Sequence, residues 1–395
     1  MGKRSVGILV LASLVLCVGP GCYPVTGERA YCEISRLDPA IPVEHAKNVP
    51  MMRIGSLPHP FGPIPVNYAD PQRLGQHRYR DSALRSIRLG EASAGIIYTR
   101  QTGFIDLAHT RNAGDLTWYA YERILSALLA SRPRVLLAGA EPSVFILHLD
   151  YPEPWRALND AARERLAERL AVVLAVRMGY VISTWHEVLT SFGYHGVPGI
   201  PEQQSAFMYD DQPSHRVGAV AAGRAILRVQ SEGVSYEEAM TATLAESIAR
   251  LAPLDTAGTR RAVEACRSQW WDTDGPTARQ VHLGMVGERF EPIRIHLDHP
   301  EVLGGAADEI ERLTPWAWEV PSLARLGAAL PESVPWLPTS RIEIDPLVSF
   351  SGEVFAAAGL DGPWIVLDRD GPALKAALIA RLSGVEPAGR ASAGR

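Results

Sequence analysis

Three groups of polar residues interrupt apolar segments of this chain and could carry chemistry. The first group contains Asp106, His109, Arg111 and Asp115, which place two carboxylates, an imidazole and a guanidinium within ten residues. An imidazole held beside carboxylates can act as a general base or as a metal ligand. The sequence leaves a structural alternative open, in which Asp115 caps a helix, Asp106 pairs with Arg111 and His109 is a satisfied imidazole.

The second group follows a long apolar helix pattern and contains His186 and Glu187. In a helix, Thr184, Glu187 and Ser191 share one face, so the carboxylate projects beside hydroxyl groups. A carboxylate in such surroundings is costly unless it is hydrogen-bonded, paired or bound to a metal. The His-Glu-x-x-His zinc motif is absent because residue 190 is Thr. The alternative to a functional site here is a buried polar network.

The third group extends from residue 203 to residue 218 and resembles a loop that leads into a helix. Asp210, Asp211 or Ser214 could cap that helix. Ser205 is a weak candidate nucleophile because the Gly-x-Ser-x-Gly pattern is absent. The loop could nevertheless line a cleft built by the first two groups.

Composition excludes several classes of protein. The 395 residues include 39 Lys and Arg against 44 Asp and Glu, for a formal net charge of -5, with no basic stripe interleaved with aromatic residues. We therefore expect no nucleic-acid partner. Glycine-rich phosphate-binding loops are also absent.

The first residues have the pattern of a secretory signal. Lys3 and Arg4 precede an apolar run over 6–18, which is too short to span a bilayer as a permanent helix. The run ends in Gly21-Cys22, a small residue before a cysteine, so we predict lipid attachment at Cys22, with plain secretion as the alternative. The predicted location is the cell envelope, on the extracytoplasmic side of a bacterial membrane. Cys32 and Cys266 could form a disulfide there or remain two buried thiols.

Hydrophobic periodicity predicts a helix-rich α+β fold with a small sheet. The longest helical pattern covers 154–192, with Gly179 as a candidate break. Further helices are predicted over 115–130, 213–229, 235–251, 259–268 and 373–382, and strands over 95–99, 135–137, 144–149 and 293–297.

The same patterns divide the chain into five parts. We predict a signal peptide over 1–21, a Pro-rich tether over 22–73 and one large helix-rich domain with a long central helix over 74–300. An irregular Pro-rich C-terminal portion over 301–383 is expected to pack on that domain, and 384–395 are expected to form a disordered tail.

The three groups together resemble a family of bacterial lipoproteins catalogued only as a domain of unknown function. The resemblance is carried by Gly103-Phe104-Ile105-Asp106-x-x-His109-x-Arg111, Thr184-x-His186-Glu187, Ser205-Ala206-Phe207 and Asp210-Asp211, and it covers roughly residues 75 to 350. It implies an envelope lipoprotein and supplies no mechanism.

These residues predict an envelope-anchored hydrolase with a His/Glu/Asp cleft. The cleft would contain His109, Arg111, Asp115, His186 and Glu187, with Glu187 or His109 as general base and Arg111 holding an anionic group. His109, His186 and Glu187 are the candidate metal ligands, and zinc suits these residue types, although a metal-free reaction is equally compatible. The alternative is a non-catalytic envelope lipoprotein that binds or assembles partners.

Overall fold

The computed structural model describes most of the chain between residues 49 and 384. The described residues are 49–50, 53, 55–56, 66–80, 94–139, 141–195, 202–272, 274–290, 292–295, 338–347, 351–362 and 364–384. The predicted signal peptide, Cys22, Cys32 and residues 385–395 lie outside them. Within this part of the chain there are eight helices, eight strands and no helix long and apolar enough to cross a membrane.

Helix α1 (Leu107–Leu129) begins eight residues before the predicted start at residue 115. Asp106 caps it, because a side-chain oxygen of Asp106 accepts the N–H of Ala108 at 2.6 Å. The first turns contain Thr110, Arg111 and Asn112, which are buried although they are polar. Their polarity hides the helical period in the sequence, so the helix is longer than the apolar pattern alone indicates.

Helix α2 (Glu153–Arg156) is a single turn, and helix α3 (Asp160–Ser191) follows it as an unbroken helix of 32 residues. Gly179 does not break α3. Instead, a side chain at Gly179 would overlap the Thr117 side chain of α1, so this glycine lets the two helices approach closely.

The remaining helices follow in order along the chain. They are α4 (Asp211–Glu232), α5 (Tyr236–Arg250), α6 (Thr256–Ala265), α7 (Ser351–Ala358) and α8 (Leu367–Leu382). Ser235 caps α5 by accepting the N–H of Glu238 at 3.2 Å, in agreement with the Ser-x-x-Glu pattern in the sequence.

The largest sheet has four antiparallel strands in the order β3-β4-β7-β8. Its strands are β3 (Arg134–Ala138), β4 (Ser143–Asp150), β7 (Thr339–Pro346) and β8 (Ile365–Val366). Two hairpins complete the strands: β1 (Ile96–Thr99) with β2 (Gly103–Asp106), and β5 (Trp271–Asp272) with β6 (Gly275–Pro276). Of the strand predicted over 293–297, residues 293–295 are not in a strand and the other two lie outside the described residues.

The main core lies between α1, α3 and the four-stranded sheet, and α8 packs on it. Buried residues such as Leu128, Phe145, Leu170 and Leu374 join these elements in one cluster. A single domain with helices around small antiparallel sheets confirms the predicted helix-rich α+β class.

Helices α1 and α4 are in close contact near their N-terminal ends. A side chain at Gly218 of α4 would overlap the carbonyl oxygen of Thr110 on α1. The absence of a Cβ therefore sets the two helix starts side by side, with Asp106 before one and Asp210 before the other.

Candidate functional site

Residues from each of the three polar groups of the sequence meet at the adjacent starts of α1 and α4. Strand β2 ends at Asp106, and His109 lies in the first turn of α1. The last turns of α3 contribute Glu187, Asp210 is the N-cap residue of α4, and Asp211 is the first residue of α4. The convergence arises from the packing of α1 against both α3 and α4.

Ser214 connects two of these segments. The backbone N–H of Asp106 donates to Ser214 Oγ at 2.8 Å, and that hydroxyl donates to the carbonyl oxygen of Asp210 at 2.5 Å. A single buried hydroxyl thus holds the end of β2 against the first turn of α4.

Asp106, His109 and Asp210 form a compact group that we call the Asp-His centre. One ligating atom from each residue lies within 4.8 Å of the others, as a shared divalent cation would require. Asp106 accepts the N–H groups of Ala108 and Ser56. Asp210 is fully buried, and neither of its carboxylate oxygens has a hydrogen-bond partner among the described residues.

Asp210 stands at the N-cap position of α4 without capping that helix. Its side chain makes no cap hydrogen bond, so the cap that the sequence suggested for this residue is not formed. Burial raises the pKa of Asp210 well above its usual range, and the charge of Asp211 adds to the effect. Burial likewise raises the pKa of Asp106, although His109 partly offsets that shift.

His109 is paired with Asp211 at the edge of the centre. Its Nδ1 lies 3.2 Å from Asp211 Oδ1, and 20% of its side chain is exposed to solvent. The other oxygen of Asp211 accepts the N–H of Met208 at 2.7 Å. Burial alone would lower the pKa of His109, but the contact with Asp211 and the charges of Asp106 and Asp211 raise it well above its ordinary value.

Glu187 lies beside Asp211 because consecutive backbone amides hold the two carboxylates. Phe207 N–H donates to Glu187 Oε2 at 3.1 Å, and the next amide, Met208, binds Asp211. Phe207 adopts a left-handed conformation, with φ of 56°, that aims its amide at Glu187. Burial raises the pKa of Glu187 to about 8, Asp211 adds to the shift, and the charges of His186 and His109 offset only part of it.

His186 has carboxylate partners of its own. Its Nδ1 lies 2.8 Å from Glu141 and its Nε2 lies 3.8 Å from Glu202, with 23% of the side chain exposed. Burial lowers the pKa of His186, but the hydrogen bond to Glu141 and the charges of Glu141, Glu187 and Glu202 outweigh it and raise the pKa to about 9. His186 is therefore a cation beside Glu187.

Arg111 and Asp115 take part in a second buried network. Arg111 lies 3.3 Å from His77 Nδ1 and donates to the carbonyl oxygen of Leu74 at 2.5 Å. Asp115 lies 2.8 Å from His77 Nε2 and 2.8 Å from Arg53. These partners come from residues 53–77, so the structure groups Arg111 and Asp115 with that segment, whereas His109 and Glu187 meet Asp211.

The sequence does not single out Asp106, Asp210 or His215 as site residues, although the structure places all three at or beside the centre. The sequence suggests Asp106 only as a carboxylate beside His109 or a partner of Arg111, and Asp210 only as a helix cap, although Asp106-x-x-His109 spaces two ligand types one helical turn apart. His215 is also buried, and its ring centroid lies 5.6 Å from that of His109. Burial lowers the pKa of His215 well below its ordinary value, and the charges of His109 and His186 lower it further.

Comparison with known proteins identifies a family whose description names no activity. No curated protein and no solved structure matches this chain. Residues 47–281, more than half of the chain, match a family described as protein of unknown function (DUF4056), and every residue of the site falls inside that range. The chain therefore belongs to the DUF4056 family.

Proposed function

We propose that this protein is a hydrolase in which Glu187 and His109 transfer protons. The observation that carries the proposal is the placement of Glu187 and Asp211 on consecutive amides beside His109, at a point that solvent reaches. A carboxylate and an adjacent imidazole that solvent reaches in part are the groups that general acid–base hydrolysis uses.

Each group has a distinct role in this proposal. Glu187, in its ionised form, accepts a proton from a water molecule as the water oxygen attacks the substrate. His109, which Asp211 keeps protonated, donates its proton to the leaving group. The pKa of Glu187, at about 8, gives a base that is much stronger than an exposed carboxylate.

The location of the substrate follows from the N-terminal pattern. Residues 1–22 support export and lipid attachment at Cys22, so the substrates within reach would be peptidoglycan, envelope glycans, lipids or peptides. Loss of fatty-acid labelling in Cys22→Ser is the expected result, and unchanged labelling would disprove the anchor.

The hydrolase is tested with Glu187→Gln on a panel of ester, peptide and glycan substrates. We expect a fall in turnover of about 10²–10⁴-fold, because the general base is lost while the shape of the side chain is kept. Glu343→Gln is a matched control, since Glu343 pairs with His148 on the sheet at 2.8 Å and is not part of the site.

Two results would contradict the proposal. The first is turnover by Glu187→Gln equal to that of the wild type. The second is the absence of turnover on the whole panel by wild-type protein, which would favour the non-catalytic binding or assembly role.

A further inference from the structure

The buried carboxylate of Asp210 has no hydrogen-bond donor or cation bound to it among the described residues. Asp210 is 0% exposed, and both of its side-chain oxygens are without a hydrogen bond among the described residues. Buried carboxylates are ordinarily hydrogen-bonded, paired with a cation or bound to a metal. The neighbouring side chains Asp106 and His109 present further ligand atoms rather than hydrogen-bond donors that would satisfy both oxygens.

The Asp-His centre has the dimensions of a metal site. Its three ligand atoms lie within 4.8 Å of one another, and ligands about 2.0–2.2 Å from a common ion cannot be farther apart than about 4.4 Å, so small side-chain shifts close the set. The three residues lie at two helix starts, which the hydrogen bonds of Ser214 join.

Gly55 leaves open the space beside two of these ligands. A Cβ at residue 55 would overlap His109 Nε2 and lie 3.1 Å from Asp106 Oδ2, so both atoms face the same small region. Only glycine keeps that region free. The backbone segment that carries Gly55 therefore borders the centre without filling it.

Asp211 has the position of a residue that orients a metal-binding histidine. Its oxygen lies 3.2 Å from His109 Nδ1, and the N–H of Met208 fixes the carboxylate in turn. A carboxylate at Nδ1 fixes the tautomer and leaves Nε2 as the ligand atom. Nε2 is the nitrogen that lies beside Asp106 Oδ2 near Gly55.

We propose that Asp106, His109 and Asp210 bind one divalent transition metal ion, with Asp211 as the positioning residue for His109. Two carboxylates and one imidazole favour Zn²⁺ or Mn²⁺ over Ca²⁺, because imidazole is a poor ligand for the latter. Three protein ligands leave a coordination position open for water or substrate. Metal binding goes beyond the proposed hydrolase and does not depend on it. A metal-bound His109 is neutral and has no proton on Nε2, so His109 acts as the proton donor of the hydrolase only in the metal-free protein.

The test is a binding titration of the full-length protein. Chelator-treated protein is titrated with Zn²⁺, Mn²⁺ and Ca²⁺ by calorimetry, and we expect one Zn²⁺ or Mn²⁺ per chain and much weaker Ca²⁺ binding. Asp210→Asn should weaken binding by more than about 100-fold, because a ligand is lost. Asp211→Asn should weaken it by about 10–100-fold, as loss of a residue that orients a ligand does.

Asp368→Asn and Glu187→Gln serve as controls that separate the proposals. Asp368 pairs with Arg177 away from the centre and should leave binding unchanged. Glu187→Gln should keep the metal whether or not the hydrolase proposal holds. Circular dichroism and thermal melting of metal-free Asp210→Asn should match the wild type, since that carboxylate has no partner to lose.

Two outcomes would overturn the metal site. One is a wild-type protein that binds neither Zn²⁺ nor Mn²⁺ with at least micromolar affinity. The other is equal affinity in the wild type and in folded Asp210→Asn.

Discussion

His186 and Glu187 are neighbours in the chain, and the pKa of each is raised by a different set of partners. Successive residues of a helix point about 100° apart, so the two side chains meet different partners. His186 reaches Glu141 and Glu202, whose charges keep it protonated. Glu187 lies against Asp211, whose charge favours the protonated carboxyl group, as burial does.

Replacement of Glu141 by Gln tests the origin of the charge on His186. Glu141→Gln should lower the pKa of His186 from about 9, because the hydrogen bond and the charge that raise it are lost. The folded-state pKa of His186 exceeds the unfolded value of about 6.5, so the pair stabilises the protein fully below about pH 6.5. That stability is lost as the pH rises toward 9.

The measurement is a histidine NMR titration together with urea unfolding at pH 6 and pH 9. Glu343→Gln, which removes the carboxylate partner of His148, is the control and should leave the titration of His186 unchanged. A His186 pKa that does not fall in Glu141→Gln would contradict the assignment.

Individual residue types could be predicted from the sequence better than their partners. The sequence singles out His109 and Glu187, and the structure places them around the same Asp211. It gives no sign that Arg111 contacts His77, because the pairing joins residues 34 positions apart. Long-range contacts of this kind depend on helix packing, which short motifs do not encode.

At the scale of elements, the contact between α1 and α4 decides whether the site forms. Gly218 lies one turn beyond Ser214, and its missing side chain allows the backbone of Thr110 to come close. Because α4 carries Asp210 and Asp211 at its start, a shift of this helix would move both carboxylates away from His109.

Gly218→Ala adds only one methyl group, but it should both destabilise the fold and displace the carboxylates of α4 from His109. The added methyl group overlaps the carbonyl oxygen of Thr110, and overpacking of a core contact costs about 1–3 kcal/mol of unfolding free energy. Thermal or urea unfolding measures the loss, and metal affinity should fall with it.

Gly352→Ala is a matched control for this substitution. Gly352 lies in helix α7, and a Cβ there meets nothing within 4 Å. If Gly218→Ala were as stable as Gly352→Ala, helix contact at Gly218 would not be what positions the site.

Element boundaries show which signals the sequence carries. The predicted helix over 235–251 matches α5 closely, since Ser235 provides a real cap. The apolar pattern places the start of α1 eight residues too late, because the buried polar residues of its first turns have the composition of a loop. At Gly179, the sequence cannot distinguish a helix break from a glycine required by a neighbouring helix.

At the scale of the whole molecule, buried ion pairs connect Arg53 and His77, which precede the first strand, to Asp115 of α1. Arg53 also donates to the carbonyl oxygen of Arg78 at 2.7 Å, and its backbone N–H donates to Asn112 at 2.8 Å. Burial would raise the pKa of Asp115, but the charges of Arg53 and His77 lower it below its ordinary value. Asp115 thus stays ionised at the centre of the network.

Asp115→Asn should destabilise the whole fold. It leaves the buried guanidinium of Arg53 without its counter-ion, and the loss of one partner of a buried ion pair costs about 3–5 kcal/mol. Urea unfolding is the measurement. Asp160→Asn is the control, since the Asp160 side chain is fully exposed to solvent and an exposed pair such as the one with Arg163 contributes at most about 1 kcal/mol.

The prediction about Asp115 has a second readout. A structural role predicts lower stability with metal affinity retained in the folded fraction, whereas the catalytic role predicted from sequence implies lost turnover at unchanged stability. Equal stability of Asp115→Asn and wild type would contradict the structural role.

The fold class could be predicted for the whole molecule because helical periods dominate the sequence. Strand β7 was not predicted, because its alternating pattern contains only two apolar residues, Ile342 and Ile344, within a Pro-rich region. Its burial depends on β4, from which it is separated by about 190 residues.

The position of β7 between β4 and β8 means that β4 must wait for a partner strand that is synthesised much later. The ribosome releases β4 long before β7 exists, and at about 5–20 residues per second the delay is roughly 10–40 s. During that time one side of β4 has unpaired backbone groups, which attract other strands. In a nascent chain of this protein, that side of β4 therefore stays unpaired until residues 339–346 have emerged.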